Sequence, residues 1–139
     1  MAAYQRYQDL QVGDRFPPEP MDFEITPQTV AAFRSATRDM QNVDQAPGAA
    51  GEAPSMLAAV YLVDLLKARQ SPPGGIHAKQ SFRFHRVLRV GEHLKLQGRV
   101  VEKFVRKGRP YVVSEFEARD SQGAIVCSGT ITSIWGQDA

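Results

Sequence analysis

Residues 37 to 45 read TRDMQNVDQ and place two carboxylates, Asp39 and Asp44, five positions apart around the amides of Gln41 and Asn42. Two carboxyl groups held close together raise one another's resistance to ionisation. One can then stay protonated as a general acid while the other acts as a general base. The same segment also suits the polar end of a helix, with Asp39 at the terminus and Asp44 in the loop beyond, and both readings fit the residues. Ser55, at the head of a long apolar run, is of a type that caps helices, and no base stands assigned beside it to make it a nucleophile. Asp64 falls midway along that run, where a carboxylate faces solvent or a subunit. His77, His85 and His93 are evenly spaced but match no usual metal-ligand spacing, so no metal site is expected. Cys127 is the only cysteine, which rules out an intrachain disulfide and a cysteine-based zinc cage. Its place in an apolar run predicts a buried, inert thiol.

These residues need a scaffold, and composition bounds it. With 139 residues, 42% hydrophobic and 23% charged, the chain is expected to form a single domain, residues 1–139, around one ordinary core. A net charge of +2 is too small to imply nucleic acid. The N-terminus MAAYQRYQDL carries no basic stretch followed by an apolar run, and the longest apolar run, 56–63, is far short of the ~20 residues that cross a bilayer. A cytoplasmic protein with neither membrane nor nucleic acid as partner is expected.

Along the chain, VGD at 12–14 and PPEP at 17–20 read as turn and loop. Met21, Phe23 and Ile25 alternate with Asp22 and Glu24, which predicts a short strand with one buried face. Thr26 followed by Pro27 marks a helix start. Val30, Phe33, Thr37 and Met40 then follow at helical spacing, with Arg34 and Arg38 on another side. The second helix, residues 55–70, is apolar almost all round until Asp64 and Lys67, and SPPGG at 71–75 ends it. A helix apolar on nearly every side must be surrounded by protein.

Everything after it reads as strand. Ile76, Ala78, Phe82 and Phe84 share one face of an alternating run; His77, Lys79, Arg83 and His85 share the other. A turn at Gly91 precedes a strand that carries Leu94 and Leu96 inward, and Val100 and Val101 break its alternation as a bulge would. VRKGRP at 105–110 reads as an exposed hairpin turn, and DSQG at 120–123 as the next turn. The order strand, helix, buried helix, about four strands predicts an α+β architecture: an antiparallel sheet curled round a central apolar helix.

That order looks like the hot-dog fold, and several stretches resemble its MaoC-like hydratase and dehydratase branch. LQVGDRF is similar to that family's opening turn, ITPQTVAAFRSATRD to its first helix running into the catalytic loop, and APSML at 53–57 to the start of its central helix, commonly Ala-His-Gly-Met-Leu. SFRFHRVLRVGEHLKLQGRV resembles the family's long strand, turn and return strand. In active members the loop reads roughly Thr-Gly-Asp-x-Asn-Pro-Ile-His, and its Asp and His activate water for addition to an α,β-unsaturated thioester. Here Thr37 and Asp39 match, Gln41 stands for the Asn, Asn42 for the Pro and Asp44 for the His. The family's catalytic histidine is absent, the span to APSML is short, and Pro-Ser replaces His-Gly at the helix start.

The resemblance implies an (R)-specific enoyl-CoA hydratase or hydroxyacyl dehydratase type of lyase in fatty acid or polyketide metabolism. Asp39 and Asp44 would be catalytic, with Gln41, Asn42, Ser55 and Met56 lining the substrate site. It implies no cofactor beyond coenzyme A or acyl carrier protein as the thioester carrier. Lys79, Arg83 and His85 would face the phosphates of coenzyme A, although basic side chains at an exposed edge are ordinary and the residue types favour a solvated sheet face. A homodimer, or a heterodimer with another hot-dog subunit, is expected. Three functions stay open: a hydratase or dehydratase, a non-catalytic subunit that lends acyl-chain space to a catalytic one, and an acyl thioesterase using a carboxylate such as Asp64.

Overall fold

A computed structural model of the chain describes residues 4–37 and 51–137. Thr26 and Pro27 begin the first helix as their types require. The Thr26 Oγ1 accepts the Thr29 N–H at 3.0 Å, and α1 runs Pro27–Thr37. Val30 is its buried residue and Phe33 packs partly against the core. Thr37, expected on that face, is exposed, its hydroxyl turned back to donate to the Phe33 carbonyl at 2.9 Å.

The strand before it, β1 (Arg15–Glu24), is longer than its alternating residues suggest and takes in the PPEP segment expected as loop. β1 is an edge strand, where prolines that cannot donate to a ladder are tolerated. Its pairing with β6 (His93–Arg106) slips between Phe16 and Met21. β6, β7 (Arg109–Arg119) and β8 (Ile125–Ile134) form the antiparallel meander. The bulge expected at Val100 and Val101 is present as a slip between Val100 and Glu102. The hairpin joining β6 to β7 turns through Lys107 and Gly108, both at positive φ (51° and 73°), as a tight two-residue turn requires.

The alternation read over 76–85 does not survive as one strand. β3 (Ile76–Gln80) and β4 (Arg83–Phe84) each pair with β8, and the β3 ladder slips between His77 and Lys79. The slip resets which side chains face inward. Phe82 packs against the core, while Ile76 and Phe84 are exposed. The strand order is β1-β6-β7-β8-β3, and the separate two-stranded ladder of β2 (Glu52–Ala53) and β5 (Leu88–Arg89) stands beside it.

A 3-10 turn, Ser55–Leu57, leads into α2 (Ala58–Ala68). Ala58, Tyr61, Leu62 and Leu65 are buried on one side of α2, against Leu94, Leu96, Phe116 and Ile131 of the sheet. Cys127 joins this core, and burial pushes its thiol up, which suits the inert role its sequence context predicts. A second apolar cluster, Leu10, Phe16, Val100, Val112 and Trp135, fills the region near the far end of the helix. The helix is nevertheless not enclosed. Met56, Val60 and Val63, at positions that share one helical face, remain 48%, 38% and 46% exposed. The cover that so apolar a helix calls for does not come from the described residues of this chain. No helix among them is long and apolar enough to cross a membrane.

Candidate active site

The head of the central helix is built without a side-chain cap. Pro54 is the residue preceding the 3-10 turn, and no side chain bonds the free amides that follow, so the capping role expected of Ser55 is not realised. The first protein acceptor in this turn is the Pro54 carbonyl, which takes the Leu57 N–H at 3.0 Å. The N–H groups of Ser55 and Met56 find no acceptor among the described residues. Both residues are exposed. Two open amides at the positive end of a helix can receive an oxygen that gains negative charge.

Short contacts hold the surroundings of these amides. β2 pairs with β5 through Glu52 with Arg89 and Ala53 with Leu88, and the Val90 N–H donates to the Gly51 carbonyl at 2.8 Å. Arg34, in the last turn of α1, donates through Nη2 to the Glu52 carbonyl at 3.3 Å. The Arg89 guanidinium lies 4.0 Å from the Glu52 carboxylate. Arg34 thus joins the last turn of α1 to the start of β2. Asp39, Gln41, Asn42 and Asp44 lie outside the described residues. Arg34, Glu52 and Arg89 were missed from sequence. Arg34 reads there only as part of a polar helix side, and nothing local pairs it with a carbonyl eighteen residues on.

The remaining sequence candidates sit on other elements. Lys79 on β3, Arg83 on β4 and His85 just beyond it are all exposed. His85 meets Ser128 Oγ at 3.1 Å, His77 meets Gln80 Oε1 at 3.0 Å, and His93 lies 3.8 Å from Glu24. Each imidazole therefore has a partner on the sheet or its edge. Asp64 is exposed beside the open stripe of α2. No group of three or more His, Cys, Asp or Glu that could hold a metal occurs among the described residues.

An antiparallel sheet curled over one central helix is the hot-dog fold, the architecture of MaoC-like dehydratases and (R)-hydratases. No protein-family model and no curated protein matches the chain. Solved structures do. R-hydratase PhaJ1 from Pseudomonas aeruginosa matches with a TM-score of 0.79 at 22% identity, over 95% of this chain and 86% of that one. A MaoC-like dehydratase from Rhodospirillum rubrum matches with a TM-score of 0.72 at 18% identity, over 95% and 97%. The HadBC (3R-hydroxyacyl-ACP dehydratase) complex from Mycobacterium tuberculosis matches with a TM-score of 0.70 at 20% identity, over 90% of this chain and 96% of the matched one. These likenesses define the fold.

Proposed function

We propose that the chain is a MaoC-like hydratase or dehydratase that interconverts enoyl and 3-hydroxyacyl thioesters carried by coenzyme A or acyl carrier protein. The observation that carries this reading is the pair of open amides at Ser55 and Met56, three residues beyond the Glu52 carbonyl that accepts from Arg34. Hydration puts negative charge on the thioester oxygen as water adds, and those amides would donate to it. Asp39 and Asp44 would act as the base that activates water and the acid that protonates the neighbouring carbon. Lys79, Arg83 and His85 supply exposed polar and cationic groups for the phosphates of the carrier.

Pairing with a second hot-dog unit belongs to the same proposal. Covering the Met56, Val60 and Val63 stripe would complete the burial of α2, and the hetero-complex among the structural neighbours supports such an arrangement. That stripe also favours a second reading, in which the chain is a non-catalytic subunit and Asp44, standing where the family has histidine, marks the loss of activity. A thioesterase has only the exposed Asp64 to rest on.

Incubation of the purified protein with a panel of enoyl-CoA substrates separates these outcomes. Hydrated product supports the proposal, free coenzyme A the thioesterase, and silence until a hot-dog partner is added the non-catalytic subunit. Asp39→Asn is expected to lower turnover ~10²–10⁴-fold without lowering the melting temperature. Turnover left intact by that variant excludes Asp39 from the chemistry.

A further inference from the structure

At the other end of the central helix stands a group the proposed reaction does not use. Arg69 follows the last residue of α2, about fourteen residues and therefore roughly 20 Å from Ser55. Its guanidinium lies over the Trp135 ring, 5.1 Å from the ring centre, and Nη1 donates to the buried Ser133 Oγ at 2.9 Å. It forms no ion pair among the described residues, and its Nε is buried without an acceptor there. Burial holds the guanidinium below the ordinary arginine range, at about 10, so it is charged at neutral pH.

A guanidinium presents five N–H donors, and a half-buried charge whose one side-chain hydrogen-bond partner among the described residues is a neutral hydroxyl is incompletely compensated. The other buried side-chain polar atom without a partner among the described residues is Ser114 Oγ, on β7. Ser114 pairs with Ile131 in the β7–β8 ladder and does not line the cavity beside Arg69. Beside Arg69 opens a cavity of about 560 Å³ walled by Leu10, Phe16, Val100 and Trp135, with Asp14 and Arg15 also contributing to its lining. Its size is that of a small-molecule site, and its lining is divided about evenly between apolar groups and the polar groups of Gln5, Asp14, Arg15, Arg69 and Gln70, as an amphiphile requires.

We infer that this cavity binds a free amphiphilic monocarboxylate, the carboxylate on the Arg69 guanidinium and the hydrocarbon against Leu10, Phe16, Val100 and Trp135. A carboxylate suits the guanidinium and supplies the charged acceptor that the neutral Ser133 hydroxyl does not. Arg15 and Arg69 against Asp14 leave the lining one net positive charge, which a single carboxylate balances, whereas a phosphate dianion would bring an excess negative charge. A thioester, lacking the carboxylate, has no claim on the site, so it is distinct from the one proposed at Ser55.

Trp135 is the only tryptophan, so intrinsic fluorescence reads the cavity directly. Titrating the full chain with octanoate or 3-phenylpropionate should change that fluorescence saturably. Octanamide and inorganic phosphate should bind at least about tenfold more weakly, since each lacks one half of the match. Arg69→Met should abolish the octanoate response while keeping the melting transition, and Arg69→Lys, which retains charge without the fork, should weaken it. No saturable change at millimolar octanoate, equal binding of octanamide, equal binding of phosphate, or an unchanged response in Arg69→Met would each overturn the inference. The amide and phosphate comparisons use the unaltered protein, so the outcome stands even if Arg69→Met fails to fold.

Discussion

Val63 stands 46% exposed in the middle of α2, one turn from Val60 and four residues before Lys67. Met56, Val60 and Val63 together leave open somewhat more than one full side chain of apolar surface, worth roughly 2–4 kcal/mol per protomer when covered. Val63→Glu removes about a third of that and places a carboxylate in the contact. In the separate chain the change is benign. Glutamate is a better helix former than valine, and its spacing to Lys67 favours an i,i+4 ion pair. In a symmetric pair the carboxylate enters twice. Losing about 1 kcal/mol of apolar contact per copy, and at least as much again in desolvation, gives about 4 kcal/mol over the assembly, or ~1000-fold weaker association. Sedimentation of both proteins over a concentration series measures this, with thermal melts monitored by circular dichroism as the control for folding. The reasoning is refuted if Val63→Glu associates within tenfold of the unaltered protein. Pairing with its own copy is refuted if the unaltered chain sediments as a monomer at micromolar concentration.

Ser55→Pro removes one of the two open amides while preserving the backbone, because proline suits the first position of a helical turn and the preceding residue is already extended at ψ 137°. Enoyl-CoA hydration should fall ~10²–10³-fold in kcat with the melting temperature nearly unchanged, and unaltered kcat would remove that amide from the mechanism. Gly129→Ala should destabilise by about 3 kcal/mol in denaturant titrations, since its Cβ would meet the Ser81 carbonyl oxygen at 1.9 Å and the Phe116 ring at 2.7 Å, and backbone cannot yield cheaply. Hydrogen bonds from Arg86 hold the carboxyls of Glu92 and Asp120 below their ordinary range. Stability from these contacts is therefore full above the unfolded carboxylate range near pH 4 and is lost as pH falls through the lower folded values. Arg86→Met should flatten that acid decline, and a melting curve against pH identical to that of the unaltered protein would contradict the assignment.

Much of the fold is legible in the order of residues alone. Thr26 and Pro27 announce α1, the alternation of Leu94 and Leu96 announces β6, Val100 and Val101 announce its bulge, and Gly108 announces the hairpin, because each is a local matter of capping, pleat or backbone angle. The PPEP segment and the 76–85 run mislead, since whether proline fits a strand depends on that strand lying at an edge, and a slipped ladder resets which side chains face inward. At the candidate site, sequence singles out Ser55 and Met56 as residue types at the head of an apolar run, while the acidic segment it also singles out lies outside the described residues. It cannot supply the tie from Arg34 to Glu52 or the burial of Arg69 over Trp135, because both join residues far apart in the chain. The apolar character of α2 is written in its residues. Which side the sheet covers, and which side stays open at Met56, Val60 and Val63, is decided only when one sheet face meets a helix with apolar groups on more sides than that face can cover.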